Sequence, residues 1–240
     1  MPSLQIFDRL NVANTGSEAV AIRSMPIKRY FGEMRLTKRQ KTERINLAND
    51  IEDAMLFFFS LVILQRELAF MAGISAVDIK EQFRTRMEET VSKHTELTAD
   101  IRQHINEYVD DVTKSTTEHL EILLALMEDA EPETKKNTEK RKAEEFYLSD
   151  DRARLLGEEE SNTIFNMSDF EKAKLLGYKH KTWLTMRDSR VRKTHVPLDD
   201  KTISIDEFFI VGESLMRYPR DEFGSDKETI GCRCSIRYSK

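Results

Sequence analysis

The stretch Ile230-Gly231-Cys232-Arg233-Cys234-Ser235-Ile236-Arg237-Tyr238 decides the fold class. Ile230, Cys232, Cys234, Ile236 and Tyr238 alternate with Arg233, Ser235 and Arg237. An extended strand turns that period of two into one apolar and one polar face. The reading places both thiols inward and the guanidinium groups outward. A chain that closes on such a strand is not all-helical.

Working back from that strand, the residues from 150 onward read as mixed. Lys181-Thr182-Trp183-Leu184-Thr185-Met186 is strand-like, Arg187-Asp188-Ser189-Arg190 is a turn, and Val196 to Asp200 is irregular. Thr202-Ile203-Ser204 is a short strand, and Asp206 is placed to cap a helical turn through Glu207-Phe208-Phe209. Upstream, Arg152 to Tyr178 reads as helix in two pieces broken near Ser168-Asp169. Ser168 and Glu171 form a capping box for the second piece, and Gly177 is its C-cap.

The first half is helical. Ile45, Ala48, Ile51, Met55, Phe58 and Val62 recur at spacings of three and four, while Phe57, Phe59, Leu61, Ile63 and Leu64 add apolar surface elsewhere. Such a helix is expected to be buried all round, in a bundle or against another chain. Gly73 stops it, Ser75 and Asp78 cap the next helix through about Val91, and Thr98 to Met127 continues with an acidic outer face. Pro132 ends the series. The expected architecture is α+β: a basic arm at 1–41, a helical region at 42–130, a charged linker at 131–149 and a small mixed domain at 150–240.

Composition agrees. Eight Gly and five Pro among 240 residues are few for a loop-rich all-β chain, and 13 Phe argue against general disorder. Two Cys one residue apart cannot frame a fold by disulfides, so a reducing cytoplasm is the expected birthplace. The longest apolar run, Ala54–Leu64, is eleven residues, against the roughly 20 that span a bilayer. No membrane partner and no signal peptide are expected. The net charge of −5 argues against whole-protein steering toward nucleic acid, although residues 1–45 carry nine Lys/Arg against four Asp/Glu.

The ordered series Lys181-Thr182-Trp183, Arg187-Asp188-Ser189-Arg190-Val191-Arg192, His195, Leu198-Asp199, Phe208, Pro219 and Ile230-Gly231-Cys232-Arg233-Cys234 resembles the C-terminal signature of the phage Mu F-like minor head proteins. The segment Arg152–Asn162 resembles the family's preceding helix, with Glu160 at its Glu position. Glu159 stands where the family often has Thr, Asp200-Lys201 where Gly follows Leu-Asp, and Gly231 where Asn is common. The resemblance covers about residues 150–240. It implies a minor capsid protein of a tailed bacteriophage acting in head morphogenesis. It further implies partners in the portal protein and the scaffold or major capsid protein, and a candidate role in DNA packaging or ejection. The implied location is the virion head interior, reached from the host cytoplasm during assembly. Trp183, Asp188, His195, Asp199, Cys232, Cys234 and Glu160 are the implied structural motif.

Three chemical readings attach to these residues. His195, Cys232 and Cys234 are zinc-type ligands, but alternate residues of a strand lie about 6.5–7 Å apart, too far for two thiolates on one ion. The favoured reading is two buried thiols acting as small hydrophobes, with no metal and no cofactor. His195, Asp188 and Arg190 form a candidate catalytic group for a phosphodiester, weighed against a plain structural role for the turn. Arg190, Arg192, Lys193, Arg233 and Arg237 are candidate contacts for a partner or, non-specifically, for double-stranded DNA. Arg233 and Arg237 are expected to pair with carboxylates such as Glu160.

Overall fold

A computed structural model of the chain describes residues 27–72, 79–128, 138, 142 and 145–240. The Gly73 stop, the Ser75–Asp78 cap, the Pro132 break, most of the linker and residues 1–26 lie outside the described residues. Six helices are described: α1 Ile27–Gly32, α2 Lys38–Ala72, α3 Ile79–Ser92, α4 Ala99–Glu128, α5 Asp150–Leu175 and α6 Asp226–Thr229. Five strands follow α5: β1 His180–Leu184, β2 Thr202–Ser204, β3 Phe209–Val211 and β4 Ser214–Met216 before α6, and β5 Ser235–Ser239 after it. The fold is α+β, as the sequence indicates.

The helical part follows its apolar spacing. Ile51, Met55, Phe58 and Val62 of α2 are buried against Phe83, Met87 and Val91 of α3 and Ile101, Ile105 and Val109 of α4. Phe58 and Phe83 stack at 4.3 Å between ring centroids. The outer face of α4 exposes Asp100, Glu107, Asp110, Asp111 and Glu118. Helix α2 is not buried all round: Phe57 and Leu64 remain 40% and 47% exposed.

Helix α5 is the axis. Ser149 caps it, accepting a hydrogen bond from the Arg152 backbone N–H at 3.2 Å. Asp150 and Asp151 lie in its first turn and Lys172 and Lys174 in its last, the arrangement that the helix dipole favours. Helix α2 packs along it. At Gly157 the two backbones approach so closely that a Cβ would stand 2.5 Å from the Ala48 carbonyl oxygen. The expected break at Ser168-Asp169 does not occur. Ser168 is buried, and its hydroxyl is satisfied at 2.6 Å by Thr95 Oγ1, so the helix runs through to Leu175. Gly177 (φ +72°) then turns the chain, as the C-cap reading requires.

Strand β1 is central in an antiparallel sheet of order β2-β1-β5, pairing Thr182 with Thr202 on one side and Trp183 with Ile236 on the other. Two expectations are corrected here. Strand β5 begins at Ser235, because Ile230–Cys234 is a loop: Gly231 adopts φ +68°, Ile230 is 58% exposed, and the Cys232 N–H bonds back to the Thr229 carbonyl at 3.1 Å. Asp206 caps no helical turn. Phe209–Val211 instead pairs with Ser214–Met216 across Gly212-Glu213 as a hairpin. Of the basic arm, residues 27–41 are described. Tyr30, Phe31 and Met34 are buried against Ala48 of α2, with Met186 beside them. One continuous apolar core runs from Leu47 of α2 through Phe165 of α5 to Trp183, Phe209 and Ile236.

Candidate functional site

The loop after α6 and the loop after β1 meet at His195. The His195 N–H bonds the Arg192 carbonyl at 2.9 Å, and the Leu198 N–H returns to the His195 carbonyl at 3.0 Å, which fixes the backbone. The ring is 1% exposed and stands edge-on to Trp183, with centroids 5.6 Å apart. Its Nδ1 faces two sulfurs, Cys234 Sγ at 3.4 Å and Cys232 Sγ at 3.7 Å. Its Nε2 lies 3.0 Å from Glu228 Oε2, an oxygen that also accepts the Thr194 hydroxyl at 2.7 Å.

Everything around this cluster is tied down. Asn162 of α5 donates to the Cys232 and Cys234 carbonyls at 3.4 and 3.5 Å, and Tyr30 of α1 donates to the Cys232 carbonyl at 3.3 Å. Arg44, fully buried on α2, reaches Asn162, Asn166 and Asp169 of α5. The Cys-Arg-Cys loop is thus held by α1 and α5, with α2 bracing α5 through Arg44. The hydrogen bond from the Cys234 thiol, helped by His195, pushes the Cys232 thiol well below its usual range. Cys234, the donor to that sulfur and itself buried, is pushed up.

A second, more open cluster surrounds Asp188 and Asp199. Both carboxylate oxygens of Asp188 accept from Arg233 Nη2 at 2.9 Å, and Arg190 adds a bond at 3.2 Å. Burial alone would raise the Asp188 pKa, but these guanidinium bonds outweigh it and the pKa is lowered. Asp199 accepts from the Thr185 backbone at 2.9 Å, from Arg35 at 2.8 Å and from Arg187 at 2.5 Å. Asp200 accepts from Arg35 and Arg187 while holding φ +58°, the conformation that a Gly there would adopt without strain.

These placements revise the residue-level expectations. Arg233 is 9% exposed and paired with Asp188, so it does not face outward. Its expected partner Glu160 instead meets His104 at 2.6 Å. Arg190 is ion-paired with Glu33 and Asp188, and Arg192 bonds the Ile230 carbonyl. Lys193 and Arg237 are exposed. The candidate catalytic trio divides: His195 bonds Glu228 and the thiols, whereas Asp188 and Arg190 bond each other at the surface. The objection to a shared ion also changes, since the cysteines lie in a loop and the His195, Cys232 and Cys234 donor atoms all fall within 4.8 Å of one another. Sequence reasoning missed Glu228, Asn162, Tyr30 and Arg35. Only Asn162 carried a signal, as a polar residue in the helix already matched to the family.

Fold and site together define a helical body clasped by a small C-terminal sheet through a buried His–thiol cluster and an Arg–carboxylate network. A model of the family described as phage Mu protein F like protein matches residues 65–237, most of the chain. The chain belongs to this family and is a phage head morphogenesis protein. It is also 34% identical over 76 residues to the NAD(+)–arginine ADP-ribosyltransferase EFV of Enterococcus faecalis (strain ATCC 700802 / V583). That stretch is 31% of this chain and 15% of the relative, so the chain spans a small part of that protein. No solved structure matches the chain. No helix among the described residues is long and apolar enough to cross a membrane.

Proposed function

We propose that the protein is a minor capsid protein that associates with the portal inside the procapsid, assembles beside the scaffold or major capsid protein, and remains in the virion head. The observation that carries the reading is the family match across residues 65–237, which takes in the sheet, both clusters and most of the helical body. The fate of the motif residues supports it. Trp183 is core, Arg233 neutralises Asp188, and Asp199 holds Arg35, so the signature is spent on locking the fold together. Exposed Lys193 and Arg237 supply positive charge for an acidic partner or the packaged genome.

The ADP-ribosyltransferase resemblance adds no activity, because it reaches so little of that protein. Mass spectrometry of purified procapsids and virions tests the reading. The chain is expected in both, in a few copies per particle. Its absence from both would remove the assembly role.

A further inference from the structure

We propose that His195, Cys232 and Cys234 bind one zinc ion, with Glu228 as the carboxylate that orients the histidine.

The geometry carries this. In a tetrahedral site with Zn–S near 2.3 Å and Zn–N near 2.0–2.1 Å, the nitrogen–sulfur edges are about 3.6 Å long and the sulfur–sulfur edge about 3.8 Å. His195 Nδ1 stands 3.4 Å from Cys234 Sγ and 3.7 Å from Cys232 Sγ, on either side of that value. The remaining edge, between the thiols, is no longer than 4.8 Å. Both nitrogen–sulfur edges thus match one face of the tetrahedron.

The surroundings match those of a metal ligand. A histidine bound through one ring nitrogen characteristically donates its other N–H to a carboxylate, which fixes tautomer and orientation. Here Nδ1 faces the sulfurs and Nε2 faces Glu228 Oε2 at 3.0 Å, with Thr194 holding that carboxylate from behind. The Trp183 indole N–H is buried without a hydrogen-bond partner and lies beside the Cys234 thiol. A coordinated thiolate would give that donor an acceptor.

On binding, each thiol loses its proton to solvent and each sulfur donates a lone pair to the ion. His195 binds through the Nδ1 lone pair and keeps its Nε2 proton on Glu228. Among the described residues the cluster holds three ligating side chains, and water would complete the tetrahedron. The ion would pin the loop after β1 to the loop before β5. It serves as a structural clasp at the point where α1 and α5 also grip.

The test uses the full, untagged chain from zinc-supplemented cells. Elemental analysis after gel filtration is expected to give close to one zinc per chain. Cobalt(II) added to the metal-free protein should give tetrahedral visible bands and a thiolate-to-cobalt charge-transfer band, and Cys234→Ser should roughly halve the latter. Glu228→Gln should weaken zinc affinity about 10–100-fold while leaving the charge-transfer band in place at saturation. If Cys234→Ser does not fold, the wild-type titration decides. Protein that is metal-free as isolated and gives only the spectrum of hydrated cobalt would overturn the proposal. So would a Cys232–Cys234 disulfide in the native protein.

Discussion

A single nitrogen of Arg233 reaches both carboxylate oxygens of Asp188 at 2.9 Å, tying the Cys-Arg-Cys loop to the turn after β1. The Arg233 side chain is only 8% exposed, and removing Asp188 leaves this buried cation with the longer Glu33 contact at 3.9 Å. Asp188→Ala is expected to cost about 2–4 kcal/mol in chemical denaturation. A double-mutant cycle with Arg233→Met should return a coupling of about 1–3 kcal/mol. Because the Asp188 pKa is lowered in the fold, its stabilisation is present above the ordinary 3.8 and lost as pH falls through the folded value. Additive single-mutant effects would mean that the pair contributes nothing to the clasp.

The contact between α2 and α5 depends on one missing side chain. A Cβ at Gly157 would sit 2.5 Å from the Ala48 carbonyl oxygen and 3.2 Å from the Glu52 nitrogen, both backbone atoms that cannot rotate away. Gly157→Ala should destabilise the protein by about 1–3 kcal/mol despite the better helix propensity of Ala. Gly32→Ala, which meets nothing within 4 Å, is the control and should stay within about 0.5 kcal/mol. Equal thermal shifts for the two would contradict the close approach.

Beside Gly157, Glu158 is 1% exposed, and its Oε1 has no hydrogen-bond partner. Burial, only partly offset by Arg154, raises its pKa from 4.5 to about 8. A raised carboxyl pKa makes the neutral acid the folded form. Its contribution is therefore intact below pH 4.5 and is lost as pH climbs through about 8. Glu158→Gln should add about 1–3 kcal/mol at pH 9 and almost nothing at pH 5. A pH-independent effect would show that the carboxyl is ionised throughout.

Lys181 presents the opposite sign. Its ammonium is buried between the Phe170 and Phe209 rings, 5.0 and 5.6 Å from their centroids, and Nζ has no hydrogen-bond partner. Burial lowers its pKa to about 8 against the pull of Asp221 and Asp206. Between about 8 and the ordinary 10.5 the unfolded chain holds a proton that the folded protein has released, so stability rises with pH across that window. Lys181→Met should raise the melting temperature at pH 7, by about 1–3 kcal/mol in stability. The gain should shrink to nothing by pH 10.5. A loss at pH 7 would mean that the two rings hold the charge more firmly than burial repels it.

The sequence made local features visible and hid those set by distant partners. Thr202–Ser204 and the Gly177 cap were legible because turn chemistry and a short polar–apolar alternation specify them. The same alternation misled at Ile230–Cys234, where Gly231 at φ +68° bends the chain and brings two sulfurs together that a strand would hold apart. The β3–β4 hairpin was missed because Phe208-Phe209-Ile210-Val211 is apolar throughout and shows no period-two alternation, although Gly212-Glu213 marked its turn. Continuity of α5 at Ser168 rests on Thr95, and the orientation of His195 rests on Glu228, 33 residues further along. No local pattern encodes either contact. The family signature located the right residues and took in the helix of Asn162, while the helix that grips them through Tyr30 lay outside its reach.

The most direct test of the account is isolation of the portal complex from infected cells under mild conditions, followed by identification of what travels with it. A portal-associated head protein should be recovered with the portal in reproducible, low stoichiometry and should be lost when the Asp188–Arg233 clasp is broken. Portal complexes that assemble and purify without the chain, while the chain stays in the soluble fraction, would contradict it.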